Sequence, residues 1–329
     1  MSRLPRVVLA TLAVATALAA CSKPGDSDKS AAGDTGPIKI AVVDAQSGQL
    51  SSLGAWELKG ARLAVDEWNK AGGINGRQIQ LGVFDDQGDP TVGTNLARKI
   101  DSEGYIAMIG TAESAVTIAM APTLQKAEIP NITSGQSPGL VAVKSPFLFL
   151  NGPTSTTYDE TLAKYIVDDK GIKSIALVTN NGSFGKGEHD AFTKALDQRG
   201  VKPVAGAAPQ GTPVYLDTAG KAAAEGTIVS SPYLSNDVSE ASRKFAAAYK
   251  AAFKEDAELH GAKAYDGTQI LLTALKSSNV ATGKELADAI RATKYNGLLG
   301  DFAYDETGVG IFATSIGTIT NGKLAAASG

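Results

Sequence analysis

From Ile38 onward, short β-branched runs alternate with segments whose apolar residues recur at helical spacing. That alternation is the signature of βαβ units built on a parallel sheet. The first strand is KIAVV, residues 39–43. A Gly- and Ser-rich loop follows, then a helix over 57–70 on which Leu58, Ala61, Val65 and Trp68 fall on one face. AGGINGR, 71–77, ends that helix. Gly72 and Gly73 suit a left-handed cap, and Asn75-Gly76 turns the chain into a strand over 78–84. Further strands are predicted at 105–109, 129–133 and 147–150, with helices at 91–102 and 115–127. A second series begins with a strand at 174–179, a helix at 187–199 and a strand at 201–207. Helical spacing returns at 239–254, 264–276 and 284–292, and strand-like pieces near 302–304 and 311–319 close the chain. The pattern predicts two αβα lobes rather than one long sheet.

The first twenty residues follow a different grammar. Arg3 and Arg6 precede an apolar run, Val7 to Ala20, that is shorter than the ~20 residues a bilayer-spanning helix needs. A basic start, a short apolar stretch and small residues at its end read as a secretory signal over 1–20. The only cysteine of the chain follows at once, as Leu18, Ala19, Ala20, Cys21. This arrangement resembles the bacterial lipoprotein signal, which implies that Cys21 is lipidated and becomes the mature N-terminus. Residues 22–36 are small, polar and breaker-rich, and read as a flexible tether.

Composition narrows the chemistry. The 329 residues are 43% hydrophobic and 20% charged, with net charge −3, so there is no basic excess of the kind nucleic-acid binding uses. One cysteine allows neither an internal disulfide nor a Cys-based zinc site. His189 and His260 are the only histidines, which argues against a multi-histidine metal site. No GxSxG elbow and no phosphate loop ending in GK(S/T) is present, and GKG at 185–187 is a lone glycine pair. An enzyme is therefore not expected, nor a cofactor. Asp85, Asp86 and Asp89 form an acidic cluster without EF-hand spacing, so no metal is assigned to them.

SGQLSSLG at 47–54, AGGINGRQIQL at 71–81, FDDQGDP at 84–90, IGTAES at 109–114, IPNITSGQSPGL at 129–140 and SFGKG at 183–187 occur in this order. AEGTIVSSPY at 224–233 and AYDGTQILLTAL at 264–275 follow. Together these segments resemble the type I periplasmic binding proteins, specifically the branched-chain amino acid (leucine/isoleucine/valine) group serving ABC transporters. The resemblance implies two Rossmann-like αβα lobes joined by a hinge, a small ligand in the cleft between them, an ABC permease as partner and no catalysis. It divides the chain into lobe 1, residues 37–150 plus 237–303, and lobe 2, residues 151–236 plus 304–329. Crossings between lobes are expected near 150–155, 230–236 and 303–310.

The same resemblance carries ligand-gripping roles onto Ser114, Ser134, Gln136 and Phe184. Ser114 matches a serine at a helix start, where hydroxyl and free backbone N–H groups hold a carboxylate; the alternative is that it caps its own helix. Gln136 stands where the family often has threonine, and Phe184 where it commonly has tyrosine. Trp56 is placed either over a ligand's apolar side chain or against its own lobe. One departure concerns the second lobe. After 201–207, VAGAAPQ runs directly into GTPVYLDTAGKAAAEG, so about two βα units, on the order of 50 residues, are missing relative to the family. A trimmed lobe, a deletion, or a homologue that no longer grips amino acids would each give this pattern. The expected role is a lipid-anchored, extracytoplasmic solute-binding protein; the alternatives are a sensor or receptor subunit on the same fold and a lipoprotein that has lost its ligand.

Overall fold

The structure is a computed structural model and describes residues 36–179, 182–207, 225–233, 239–321 and 323–326. The predicted signal, Cys21 and the tether up to residue 35 lie outside these residues.

Five parallel strands form the main sheet, in the order β2-β1-β3-β4-β5. They are β1 (Ile38–Asp44), β2 (Ile79–Asp85), β3 (Ala107–Gly110), β4 (Asn131–Thr133) and β5 (Leu148–Leu150). β1 is buried on both faces, which is why its sequence is a nearly continuous apolar run. Ile38, Ile40 and Val42 enter one core and Ala41 and Val43 the other, the period-two alternation of a strand. The second core is roofed by α2 (Pro90–Ser102) and α3 (Ser114–Lys126). The start of α2 is fixed locally. Pro90 occupies the first turn, and Asp89 accepts hydrogen bonds from the backbone N–H of Thr91 at 2.6 Å and Val92 at 3.0 Å.

The first core is roofed by α1 (Ser51–Lys70) and, from far along the chain, by α7 (Glu240–Phe253), α8 (Leu259–Ser277) and α9 (Gly283–Ala292). α1 and α8 cross at two glycines. A Cβ on Gly60 would lie 2.1 Å from the carbonyl oxygen of Gly261, so only hydrogen fits. The AGGINGR turn behaves as its sequence predicts. Gly73 takes φ +75° and returns its N–H to the carbonyl of Trp68 at 2.8 Å, while a Cβ there would meet the Arg77 carbonyl at 2.0 Å.

The rest of the described chain is more broken. A short α4 (Gly139–Ala142), α5 (Ser155–Ala163) with a π-helical continuation over Lys164–Asp169, and α6 (Ser183–Asp197) lie beside a two-stranded parallel pair. That pair is β6 (Ala176–Val178) and β7 (Ala205–Ala207). A separate antiparallel sheet joins β8 (Ile228–Ser231), β12 (Ser315–Thr320) and β13 (Lys323–Ala326). β9 (Tyr295–Gly297), β10 (Gly300–Tyr304) and β11 (Gly310–Ile311) make a third small sheet. Among the described residues no hydrogen-bonded pairing joins β6–β7 to β8–β12–β13.

Several boundaries differ from the sequence reading. α1 begins six residues earlier than predicted, because Gly54 is a packing residue and not a breaker: a Cβ there would sit 2.0 Å from the Ala45 carbonyl. α6 begins at Ser183 rather than 187, and α5 was not predicted. The final apolar stretch is two strands, interrupted where Phe312 turns into the core.

Candidate functional site

The sheet's carboxyl edge, where β1, β3 and β4 run out and helices begin, is where an open α/β sheet leaves a crevice. Backbone groups there are fixed by buried side chains. Asp44, at the end of β1, accepts the N–H of Ala112 at 2.7 Å. Thr133 donates its hydroxyl to the carbonyl of Thr111 at 2.6 Å and accepts the N–H of Gly135 at 3.0 Å. Ser114 opens α3, but the capping side chain is Glu113, which accepts from Ala115. The Ser114 hydroxyl is buried and accepts the N–H of Ser137 at 3.3 Å. It therefore ties the start of α3 to the loop after β4, and the self-capping alternative is not the one realised.

Ser134 is gripped from the protein side. Its hydroxyl donates to Glu57 of α1, and its carbonyl accepts from the ammonium of Lys263 of α8 at 2.8 Å. Both charged residues are about 1% exposed. Burial works against the charge on Lys263 and brings it down to about 8, with Glu57 and Glu258 pulling the other way. Burial, followed by the neighbouring Glu57, raises Asp44 well above the usual carboxylate range. Asp86, also buried, is raised to about 6. The sequence gives little warning of this network, since Glu57 and Lys263 lie 206 positions apart. The one available signal is that each charge interrupts an otherwise apolar helix face.

Trp56 stacks on His260, with ring centroids 6.2 Å apart and an interplanar angle of 20°. It is half-buried at this contact with α8. His260 is in turn held by Glu258 at 3.0 Å. Burial opposes the imidazolium, but the Glu258 carboxylate outweighs it and the histidine is raised. The acidic cluster is structural. Asp85 accepts from the N–H groups of Gln46, Ser47 and Gln87, Asp89 caps α2, and among the described residues no group of three metal-ligating side chains occurs.

The opposite wall comes from α5 and α6. Gln136 offers its carbonyl to the N–H and hydroxyl of Ser155, at 2.9 and 3.1 Å. Phe184 stands half-buried in the first turn of α6. The Ser137 hydroxyl donates to the Ser183 carbonyl at 3.2 Å. A Cβ on Gly187 would come within 2.7 Å of the Pro138 ring. The loop after β4 thus touches both walls, and the crevice is shut. Ser114, Ser134 and Gln136 meet at this loop, Phe184 follows Ser183, whose carbonyl the loop reaches, and Trp56 stacks on His260.

Residues 37–213 and 191–323 match the family described as periplasmic binding protein. Leu/Ile/Val-binding protein homolog 3 of Brucella melitensis is 29% identical over 168 residues, 51% of this chain and 46% of that protein. The Leu/Ile/Val-binding protein BraC3 of Rhizobium johnstonii is 30% identical, with the same coverage of each chain. The chain spans about half the length of the curated relatives it matches. Among solved structures, the branched-chain amino acid transporter substrate binding protein LivJ from Streptococcus pneumoniae, in complex with isoleucine, gives a TM-score of 0.81 at 22% identity. That match covers 88% of this chain and 98% of that one. A solute binding protein of an ABC transporter from R. palustris, in complex with benzoate, gives 0.80 at 19% identity, covering 88% and 95%. At these identities the likeness is one of fold.

Proposed function

The chain belongs to the periplasmic binding protein family, and from that premise we infer that it is a solute-binding protein of an ABC importer. It takes an amino acid or related small polar ligand between its lobes and delivers it to a membrane permease. The observation that carries this reading is the shut crevice, in which Ser137 bonds Ser183 and Gly187 packs on Pro138. A protein whose two walls meet on one loop can couple ligand capture to a shift from open to closed, and a permease can read that shift. Lobe 1 is residues 37–150 plus 237–303, and lobe 2 is 151–236 plus 304–329. In support, α8 packs along α1, while β12 pairs with β8.

Within the site, Ser114 and the loop from Ser134 to Gln136 receive the ligand's polar end, and Phe184 walls the cleft. Because the Ser134 hydroxyl is engaged by Glu57, Ser134 contributes through its backbone. The protein is extracytoplasmic and anchored by lipidated Cys21; two or more acyl chains hold a domain stably at a membrane. The second lobe is read as shortened because VAGAAPQ runs directly into GTPVYLDTAGKAAAEG in the sequence.

Thermal unfolding of residues 22–329 against amino acids, short amides and aromatic acids tests this reading. A ligand at 100 times its Kd stabilises by ~2.7 kcal/mol, roughly five degrees for a chain of this size. One responding ligand, weakened by Gly187→Leu, is the expected result. A cooperative melt with no response to any compound would favour a lipoprotein that has lost its ligand.

A further inference from the structure

Two of the bonds that fix the cleft loops of lobe 1 end on one pair of acids. Asp44, at the end of β1, takes the N–H of Ala112 at 2.7 Å, two residues before Ser114. Glu57, in the second turn of α1, takes the hydroxyl of Ser134. Both acids are buried, and their carboxyl groups lie within hydrogen-bond reach of each other. Yet among the described residues no N–H or O–H donor reaches Asp44 Oδ2. Two acceptors that meet in this way repel unless something positive stands between them. The space is closed, since a Cβ on Gly110 would come within 2.8 Å of that oxygen. Among the described residues no group of three metal-ligating side chains gathers here either. A proton is what fits.

We propose that Asp44 and Glu57 are positioning residues of the cleft: one proton held between their carboxyl groups completes a chain from the Ala112 N–H to the Ser134 hydroxyl and sets the spacing of the two loops that receive the ligand. The assignment of these loops to a ligand rests on the solute-binding reading above; the proton link does not. Thr133 joins the same loops deeper in the lobe, at the Thr111 carbonyl. Without the proton the loops therefore loosen at their tips while the sheet below them stays closed.

The proton resides on Asp44, which burial first and the facing Glu57 second raise well above the usual carboxylate range. Asp86 faces the pair from the turn after β2 and is itself raised to about 6, chiefly by burial, with Asp85 and Glu113 acting on it in turn. From α8 the pair faces Lys263 and His260, and Glu258 acts on both of these. A carboxyl raised by folding keeps its link at low and neutral pH and loses it as pH rises through its folded pKa. That loss leaves two buried anions against each other, and the Ala112 and Ser134 loops are released together.

Infrared spectra and hydrogen exchange test the link without a ligand. The wild-type spectrum at pH 7, minus that of Asp44→Asn, should contain the carbonyl stretch of a protonated carboxyl, displaced by carbon-13 aspartate labelling. The subtraction is needed because Asp159 and Asp266 are raised as well. Peptides covering 111–114 and 134–137 should lose about tenfold in protection together as pH rises from 6 to the point where that band vanishes. Asp44→Asn keeps the acceptor for Ala112 and puts an amide N–H where the proton was, so both peptides should stay protected over the same range. Glu57→Gln supplies that donor from the other side and should erase the band and flatten the loss too. No such band at pH 7, or equal loss of protection in wild type and Asp44→Asn, would overturn the proton link. Isothermal titration with L-isoleucine and benzoate carries the test to the cleft. A probe that binds should weaken about tenfold across this pH range in the wild type and less than about threefold in Asp44→Asn; equal weakening would overturn the positioning role. The band and the paired protection, with no heat from either probe and no thermal response to the wider panel, would uphold the link and overturn the solute-binding reading.

Discussion

The valine at the middle of β1 and the valine at the end of β6 illustrate two lobes built from similar local material with different outcomes. Val42 is 0% exposed and Val178 is 71% exposed. Both belong to short β-branched runs followed by an amphipathic helix, and both run parallel to a neighbour. β1, however, has a strand on each side and helices over both faces, whereas β6 has β7 alone among the described residues. Val204, just before β7, is 66% exposed in the same way. Burial of a strand is set by how many neighbours the sheet supplies, and the apolar run only makes that burial possible.

Substitutions can measure this contrast. Phe149 of β5 is fully buried between Tyr304 and the guanidinium of Arg291, so Phe149→Ala should cost about 3–5 kcal/mol, read as a fall in the urea midpoint with little change in slope. An intermediate effect should come from pH. Burial pushes Asp266 of α8 up to about 7, against the pull of the N–H groups of Leu299 and Leu298. A carboxyl raised by folding keeps its proton in the native state after the unfolded chain has lost it. Its contribution is therefore fully present below about pH 4 and is lost as pH rises through 7. The melting temperature should decline from pH 5 to pH 8, and Asp266→Asn should reduce that decline; an equal or steeper slope in the variant would exclude Asp266 as its source. The smallest change should follow Val178→Ser, within about 0.5 kcal/mol of the parent. A loss as large as that of Phe149→Ala would mean that β6 is covered in solution.

Much of lobe 1 was legible in the chain. β1 was readable because a strand with two covered faces must be apolar throughout, and the end of α1 because Gly72 and Gly73 fit a backbone that other residues resist. The start of α1 was not, since Gly54 serves a close approach that has the same sequence signature as a loop. α5 was missed because its STTYDETLA pattern carries no clean apolar stripe: it buries Ser155, Tyr158 and Asp159, residues that carry polar groups inward. The site divides in the same way. Ser114 and the loop from Ser134 to Gln136 followed from motif order, while Glu57 and Lys263 are brought to Ser134 only by tertiary folding. No local spacing could have joined them.

The glycine crossing of α1 and α8 also bears on the order in which the protein can be completed. Trp68 on the first helix bonds Gln269 on the second at 2.7 Å across 201 positions, and Gly60 is shaped to receive Gly261. A chain emerging from the ribosome finishes all five strands of its first sheet before α8 exists. Until residues 259–277 arrive, α1 packs on β1 and β2, but the face that receives α8 at Gly60 has nothing to close against. The part of the protein made first is thus sealed among the last, which leaves a long interval in which an emerging chain can still be threaded through a narrow pore.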